Sequence, residues 1–237
     1  MKSLIVNGDD FGASRGVNRG IAEACRDGIL TSASLMVTMP HAAEAAEISR
    51  DMPGLGVGLH AVLTTEDCHP LLDFNDSAGC RAELLRQLAM FEQLLSRPPT
   101  HLDAHHNIYR DQRLTQVFLG VAAERKLPLR EHSPVRYFPS FYGQWDDGET
   151  HLEQVSVEML CQMLMTELRT DVTELACHPG YADPEFTTSY SAERETELRT
   201  LCDPRVRETI AGLNIELINY ADWGARANGP LPGEGAL

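Results

Sequence analysis

Leu4-Ile5-Val6-Asn7-Gly8-Asp9-Asp10 is an apolar run that ends on two adjacent acids, and an amphipathic stretch over 16–27 follows it. A short aliphatic run closed by polar residues predicts a strand, and the amphipathic stretch predicts a helix. The alternation recurs along the chain. Strands are predicted over 4–7, 34–38, 56–60, 101–103, 127–130, 174–178 and 216–219, and helices over 16–27, 42–51, 82–95, 114–124, 155–169 and 205–211. Strands separated by helices imply parallel βαβ units. The fold expected for 237 residues is α/β, a distorted or incomplete (β/α) barrel, with a doubly wound open sheet as the alternative. One catalytic domain is expected over 1–223. Residues 224–237, rich in Gly and Pro, read as a poorly ordered tail.

Composition excludes several classes. A formal charge of −15 repels nucleic acid and anionic lipid, so neither is an expected partner. No apolar run reaches the ~18 residues that a membrane span requires. The start of the chain lacks the pattern of a signal peptide, which leads us to expect a cytoplasmic protein. Cys25, Cys68, Cys80, Cys161, Cys177 and Cys202 show no CxxC spacing and are expected to be small buried side chains rather than disulfides.

Function is carried by where the polar residues fall. Asp9 and Asp10 end the first predicted strand and His60 ends the third. Asp103, His105 and His106 end the fourth, Arg130 the fifth, and His178 the sixth. In a parallel barrel all strand C-termini open on one face, which carries the site. Taken singly, each has a plain structural alternative. Asp9 or Asp10 could cap the following helix, and His60 could be a hydrogen-bonded rim residue. His178 could merely precede the Pro179-Gly180 turn. Strand alternation in Thr100-His101-Leu102-Asp103-Ala104-His105-His106 puts His101, Asp103 and His105 on one face, where Asp103 could orient His105. Together, one carboxylate and two imidazoles from three strand ends make a facial set that suits Zn²⁺ or another divalent ion and leaves positions open. Two long loops, 64–76 and 133–149, break the rhythm. The second carries Tyr142 and Trp145, which could pin the loop to the barrel, form a dimer contact or offer a ring face to a substrate. Arg130 could bind an anionic group of a substrate or pair with nearby acids.

Six segments together resemble the YdjC-like carbohydrate deacetylases, a family that includes chitooligosaccharide deacetylases and hopanoid-biosynthesis-associated members. They are Asn7-Gly8-Asp9-Asp10-Phe11-Gly12, Val17-Asn18-Arg19-Gly20-Ile21, Gly28-Ile29-Leu30-Thr31-Ser32, Val57-Gly58-Leu59-His60, Pro99 through His106, and Cys177-His178-Pro179-Gly180-Tyr181. The resemblance runs in order over 3–223. It implies a distorted barrel related to polysaccharide deacetylases, often dimeric, so a homodimer is an expected assembly. One divalent metal ion per chain, Mg²⁺ or Zn²⁺, is implied, with Asp10, His60 and His105 matching its ligands. Asp9 matches the catalytic base and His178 the acid, and nearby carboxylates are expected to keep His178 protonated. Asp103, Arg130, Tyr142 and Trp145 are candidates for substrate contact. The chain departs from the family in having Gly8 where Ala is usual, and Asn107 and Tyr109 where further histidines are common. Both of the latter are expected to line the cleft. The reaction implied is removal of N-acetyl groups from amino sugars or oligosaccharides. A metal-dependent phosphoesterase or amidohydrolase, and a non-catalytic sugar-binding protein, are the alternatives.

Overall fold

The computed structural model describes residues 2–145, 148–168 and 171–227. Its centre is β1 (Lys2–Phe11), buried from Ser3 onwards. A strand covered on both faces must be apolar on both, and Leu4, Ile5 and Val6 are each 0% exposed. Each such side chain stabilises the fold by about 1.5–3 kcal/mol relative to exposure. Around it lie β2 (Ser32–Leu35), β3 (Gly56–Ala61), β4 (Leu102–Ala104), β5 (Arg136–Phe138), β6 (Val172–Cys177) and β7 (Ile215–Leu217). The path β4-β3-β2-β1-β6-β5 is parallel throughout, and β7 adds to β1. The curled sheet does not close, which makes it an incomplete barrel.

Helices α1 (Arg15–Arg26), α2 (Ala42–Arg50), α3 (Ser77–Leu95), α4 (Gln112–Arg125), α5 (Val157–Thr166), α6 (Ala192–Cys202), α7 (Pro204–Gly212) and α8 (Tyr220–Ala227) complete the described elements. Ser14, not either acid of β1, caps α1 by accepting from the Val17 amide at 3.2 Å. That removes the capping role considered for Asp9 and Asp10. Gly20 lets α1 press against the turn after β6, since a Cβ there would stand 2.5 Å from Gly180 Cα.

Several boundaries differ from the sequence expectation. Residues 127–130 form no strand. Leu129 makes a single parallel bridge to Leu102, and the pairing stops because the chain turns at Arg130–Glu131, where Glu131 has φ 64°. The edge strand β5 comes instead from within the loop expected over 133–149. α6 and α8 were not anticipated. α8 carries residues 224–227 of the expected tail, whose remaining residues 228–237 lie outside the described residues, as does the predicted helix end at 169. No described helix is long and apolar enough to cross a membrane. All six cysteines are free, but only Cys80 and Cys177 are buried, and Cys68 is exposed.

Candidate active site

The C-terminal ends of β1, β3, β4 and β6 open into a cleft of about 700 Å³. Asp9, Asp10, His60, His105, Tyr142 and His178 all line it, so residues more than a hundred positions apart meet there. Adjacent strand residues point to opposite faces, yet both acids of β1 reach the cleft. The reason is local. The pairing of β1 with β2 shifts register between Gly8 and Phe11, and Asp10 sits in the left-handed region with φ 65°. A bulge of this kind re-aims a side chain, and Asp tolerates that conformation better than most residues.

Asp10 is 2% exposed. Its Oδ2 accepts from Arg194 Nη2 at 2.5 Å. Its Oδ1 lies 3.4 Å from His60 Nε2 and 3.2 Å from His105 Nδ1 but makes no aligned hydrogen bond. Burial opposes its charge, but the Arg194 guanidinium and the two histidines outweigh burial and hold the carboxyl well below its usual range. His60 turns Nδ1 to Asp103 Oδ1 at 2.8 Å. With that nitrogen as the donor, a neutral His60 aims a lone pair from Nε2 at a carboxylate oxygen, which is repulsive unless a positive charge sits between them. Burial pulls His60 down, yet Asp103 and the bonds to Asp10 and Asp103 carry it up to about 10. Burial likewise opposes protonation of His105, and Asp10 and Glu66 lift it to about 8. The acids Asp10, Asp103 and Glu66 thus favour positive charge at both rings. The ligand atoms of Asp10, His60 and His105 lie within 4.8 Å of one another, so these residues fit a divalent ion.

A second trio, Asp9, His60 and Asp103, is as close, but its oxygens are already engaged. Asp9 receives both Nη atoms of Arg130 at 2.7 Å and Asn7 Nδ2 at 2.8 Å. Asp103 Oδ2 accepts from Ser34 at 2.6 Å and lies 2.8 Å from Arg130 Nη2. Arg130 also binds Glu174 Oε1 from Nε at 2.9 Å and from Nη2 at 2.7 Å. Burial opposes its charge, and Asp103, Asp9 and Glu174 raise it well above the normal range. Removing one partner of such a buried network costs about 3–5 kcal/mol.

This geometry corrects the expectation for two candidates. Arg130 and Asp103, considered for substrate contact, are 1% and 0% exposed and lie beneath the cleft floor. Arg130 does what the second reading of it required, pairing with acids. Asp103 orients His60, not His105, because β4 ends at Ala104 and the chain turns at once. His106 and Asn107 are left-handed there, φ 56° and 49°, which swings His105 toward Asp10 and Glu66. His101 stays below, packed over Gly58 where a Cβ would meet its ring at 2.4 Å, and stacked on Tyr220 with ring centroids 4.0 Å apart. Of the two departures expected to line the cleft, Asn107 does so. Tyr109 is 0% exposed and donates to Asn107 Oδ1 at 2.7 Å.

His178 stands across the cleft, its Nε2 3.9 Å from Asp9 Oδ2 and its Nδ1 3.9 Å from Glu197 Oε1. Burial pushes it down to about 4 despite Asp9 and Asp10, so the ring is neutral at pH 7 and the expected protonated state is not its resting state. Tyr142 stacks on Tyr190 at 4.7 Å and meets the edge of His178 at 5.7 Å. Trp145 is outside the cleft. It stacks on His151 at 3.8 Å in a shallow groove that Tyr142 also lines.

Sequence reasoning missed the contribution of α6. Glu193, Arg194 and Glu197 are all buried there. Glu197 accepts the His178 amide and the Tyr190 hydroxyl, and burial raises its carboxyl to about 8. A signal existed. Arg194, Glu197, Leu198 and Leu201 share one helical face at i, i+3, i+4 and i+7, so two charges stand where apolar residues normally would.

A family model described as YdjC-like protein matches residues 3–212. A carbohydrate deacetylase of Geobacillus stearothermophilus is 36% identical over 247 aligned residues, covering 92% of this chain and 97% of the relative. A chitooligosaccharide deacetylase of Yersinia enterocolitica is 33% identical, covering 93% and 99%. Among solved structures, a protein of Enterococcus faecalis V583 superposes with a TM-score of 0.78 at 27% identity, covering 94% of this chain and 98% of that one. A family 4 carbohydrate esterase of Streptomyces lividans in complex with acetate shares the fold, with a TM-score of 0.57 at 14% identity and 91% of each chain covered.

Proposed function

This chain belongs to the YdjC-like family, and from that premise we propose that it is a metal-dependent hydrolase that removes N-acetyl groups from amino sugars or oligosaccharides. The observation that carries the proposal is the division of labour between two neighbouring acids. Asp9 is clamped by Arg130, while Asp10 faces His60 and His105 with a buried oxygen that lacks an aligned donor. Asp10, His60 and His105 would hold a divalent ion, and two imidazoles with one carboxylate suit Zn²⁺ better than Mg²⁺, which prefers oxygen ligands. When bound, that ion supplies Lewis acidity toward the acetyl carbonyl and makes water more acidic.

The chain's own residues supply the rest. Asp9, fixed by Arg130 and Asn7, takes the proton of the attacking water, a contribution of typically ~10²–10⁴-fold. The amine must leave protonated. His178 is neutral at rest, so it acts as acid only after receiving a proton, and Asp9 Oδ2, 3.9 Å from its Nε2, can pass on the one it has accepted. Glu197 holds the backbone of His178 in place. Tyr142, beside His178 and 41% exposed, offers a ring face on which the sugar can stack. Trp145 extends that surface beyond the cleft.

The metal-dependent phosphoesterase alternative, which would use two ions, finds less support. A second cation would have to use Asp9 and Asp103, whose oxygens Arg130 and Ser34 already occupy. Acetate release from N-acetylated mono- to tetrasaccharides, measured after chelation and again after Zn²⁺ or Mg²⁺ is restored, tests the proposal. Release that returns with the metal is expected, more fully with Zn²⁺. Release that survives thorough metal removal would falsify the metal-dependent reading.

A further inference from the structure

Arg194 is 4% exposed and arrives from α6, far in sequence from the strand ends it serves. Its Nη2 donates to Asp10 Oδ2 at 2.5 Å, while Oδ1 of the same carboxylate faces His60 and His105. Among the described residues, that bond is the one aligned hydrogen bond of the guanidinium, whose Nε and Nη1 are buried without a partner, and backbone and ring contacts add to it. The Arg194 carbonyl accepts the Gly180 amide at 3.2 Å, and the guanidinium carbon lies 5.5 Å from the Phe186 ring and 5.9 Å from the Tyr190 ring. Each carboxylate oxygen of Asp10 thus has its own cationic environment, one supplied permanently by the protein.

A carboxylate can hold a metal ion through one oxygen or both. Binding through both uses a coordination position that water or the acetyl carbonyl would otherwise take, and an open position separates a catalytic site from a structural one. We propose that Arg194 is a positioning residue that restricts Asp10 to one metal-facing oxygen. It thereby keeps coordination positions open and holds metal affinity below what the three ligands alone would give. The inference rests on the metal site assigned above. It also has an unusual sign. Partners of metal ligands normally raise affinity, and their loss costs about 10–100-fold. Where the ligand is a histidine, that partner accepts its N–H and makes the ring more basic, whereas Arg194 is a cation that donates to a carboxylate and competes for its charge.

The test is metal affinity, measured on the apo protein by competition with a chromophoric chelator. Arg194→Gln is expected to bind Zn²⁺ more tightly, by roughly tenfold, while kcat falls and KM changes little. In the Co²⁺-substituted protein the visible absorption should weaken in R194Q as the coordination number rises. Arg194→Lys, which keeps the charge, should stay close to wild type in both. Affinity that is unchanged or lower in R194Q would overturn the inference. If R194Q does not fold, the Zn²⁺-loaded native crystal structure decides. Asp10 bound through Oδ1 alone with Arg194 still on Oδ2 supports the inference, and a bidentate Asp10 overturns it. A native protein that takes up no divalent ion removes the metal site itself, whereas uptake without tightening in R194Q removes only the role of Arg194.

Discussion

The strand ends and helix α6 supply the same cleft with ionisable groups, but they do so under different constraints. Asp9, Asp10 and His60 sit at the ends of buried apolar strands, where a polar residue breaks the local pattern. Glu193, Arg194 and Glu197 sit in Ala192–Cys202, a helix whose sequence is polar nearly all round. The strand-end groups face the place where the reaction would occur. Of the α6 groups, Glu197 acts through His178, whereas Arg194 lines the cleft itself and binds Asp10. The contrast separates groups that perform chemistry from groups that hold them in place.

That contrast can be broken or sharpened by substitution. The largest effect is expected for Asp9→Asn, which keeps the shape of the side chain but not its basicity. Turnover in an acetate-release assay should fall by about 10²–10⁴-fold while Zn²⁺ affinity stays close to wild type. Turnover within a few-fold of wild type would remove Asp9 as the base. His178→Ala should lower kcat by about 10²-fold, near the lower end expected for a general acid, with KM little changed. Intact turnover would move the acid elsewhere. Tyr142→Ala should act mainly on KM, raising it by about 2–10-fold, the range of one aromatic contact. Trp145→Ala should do less, and a larger effect from Trp145 would shift the platform out of the cleft.

The smallest effect concerns stability, and its sign distinguishes Glu197 from His178. Burial raises Glu197 in the fold to about 8 from an ordinary carboxylate value of 4.5, so its protonated form favours the folded state. Its contribution is fully present below pH 4.5 and is lost as pH rises through about 8. Burial lowers His178 to about 4 from 6.5, so its contribution is present above pH 6.5 and lost as pH falls through about 4. Thermal unfolding of the metal-free protein between pH 5 and 8 should therefore show a downward component with rising pH that Glu197→Gln removes. A slope that E197Q leaves unchanged would mean that Glu197 is ionised in the fold across this range.

Much of the fold and part of the site were legible in the sequence because burial and periodicity are local signals. The run 4–6 could only be an interior strand, and the βα alternation required a parallel sheet. Residues 127–130 look like a strand in sequence because Leu127 and Leu129 pack against the core, but the turn at Glu131 leaves room for only one bridge. α6 escaped notice because a charged side chain looks the same in sequence whether it meets water or a buried carboxylate. Asp103 was assigned to the wrong histidine because alternation was extended one residue past the end of β4.

By itself, the sequence determined which residues end the strands, and with that the face on which the chemistry-bearing side chains would gather. Tertiary structure alone decided how those side chains divide the work. The bulge at Asp10 turned two adjacent acids toward one cleft, and Arg130 and Arg194 then gave each acid a different partner. Strand ends follow from local hydrophobic pattern, which a chain carries in its own order. The pairing of buried charges depends on which distant segments come within about 3 Å, and no local pattern encodes that distance.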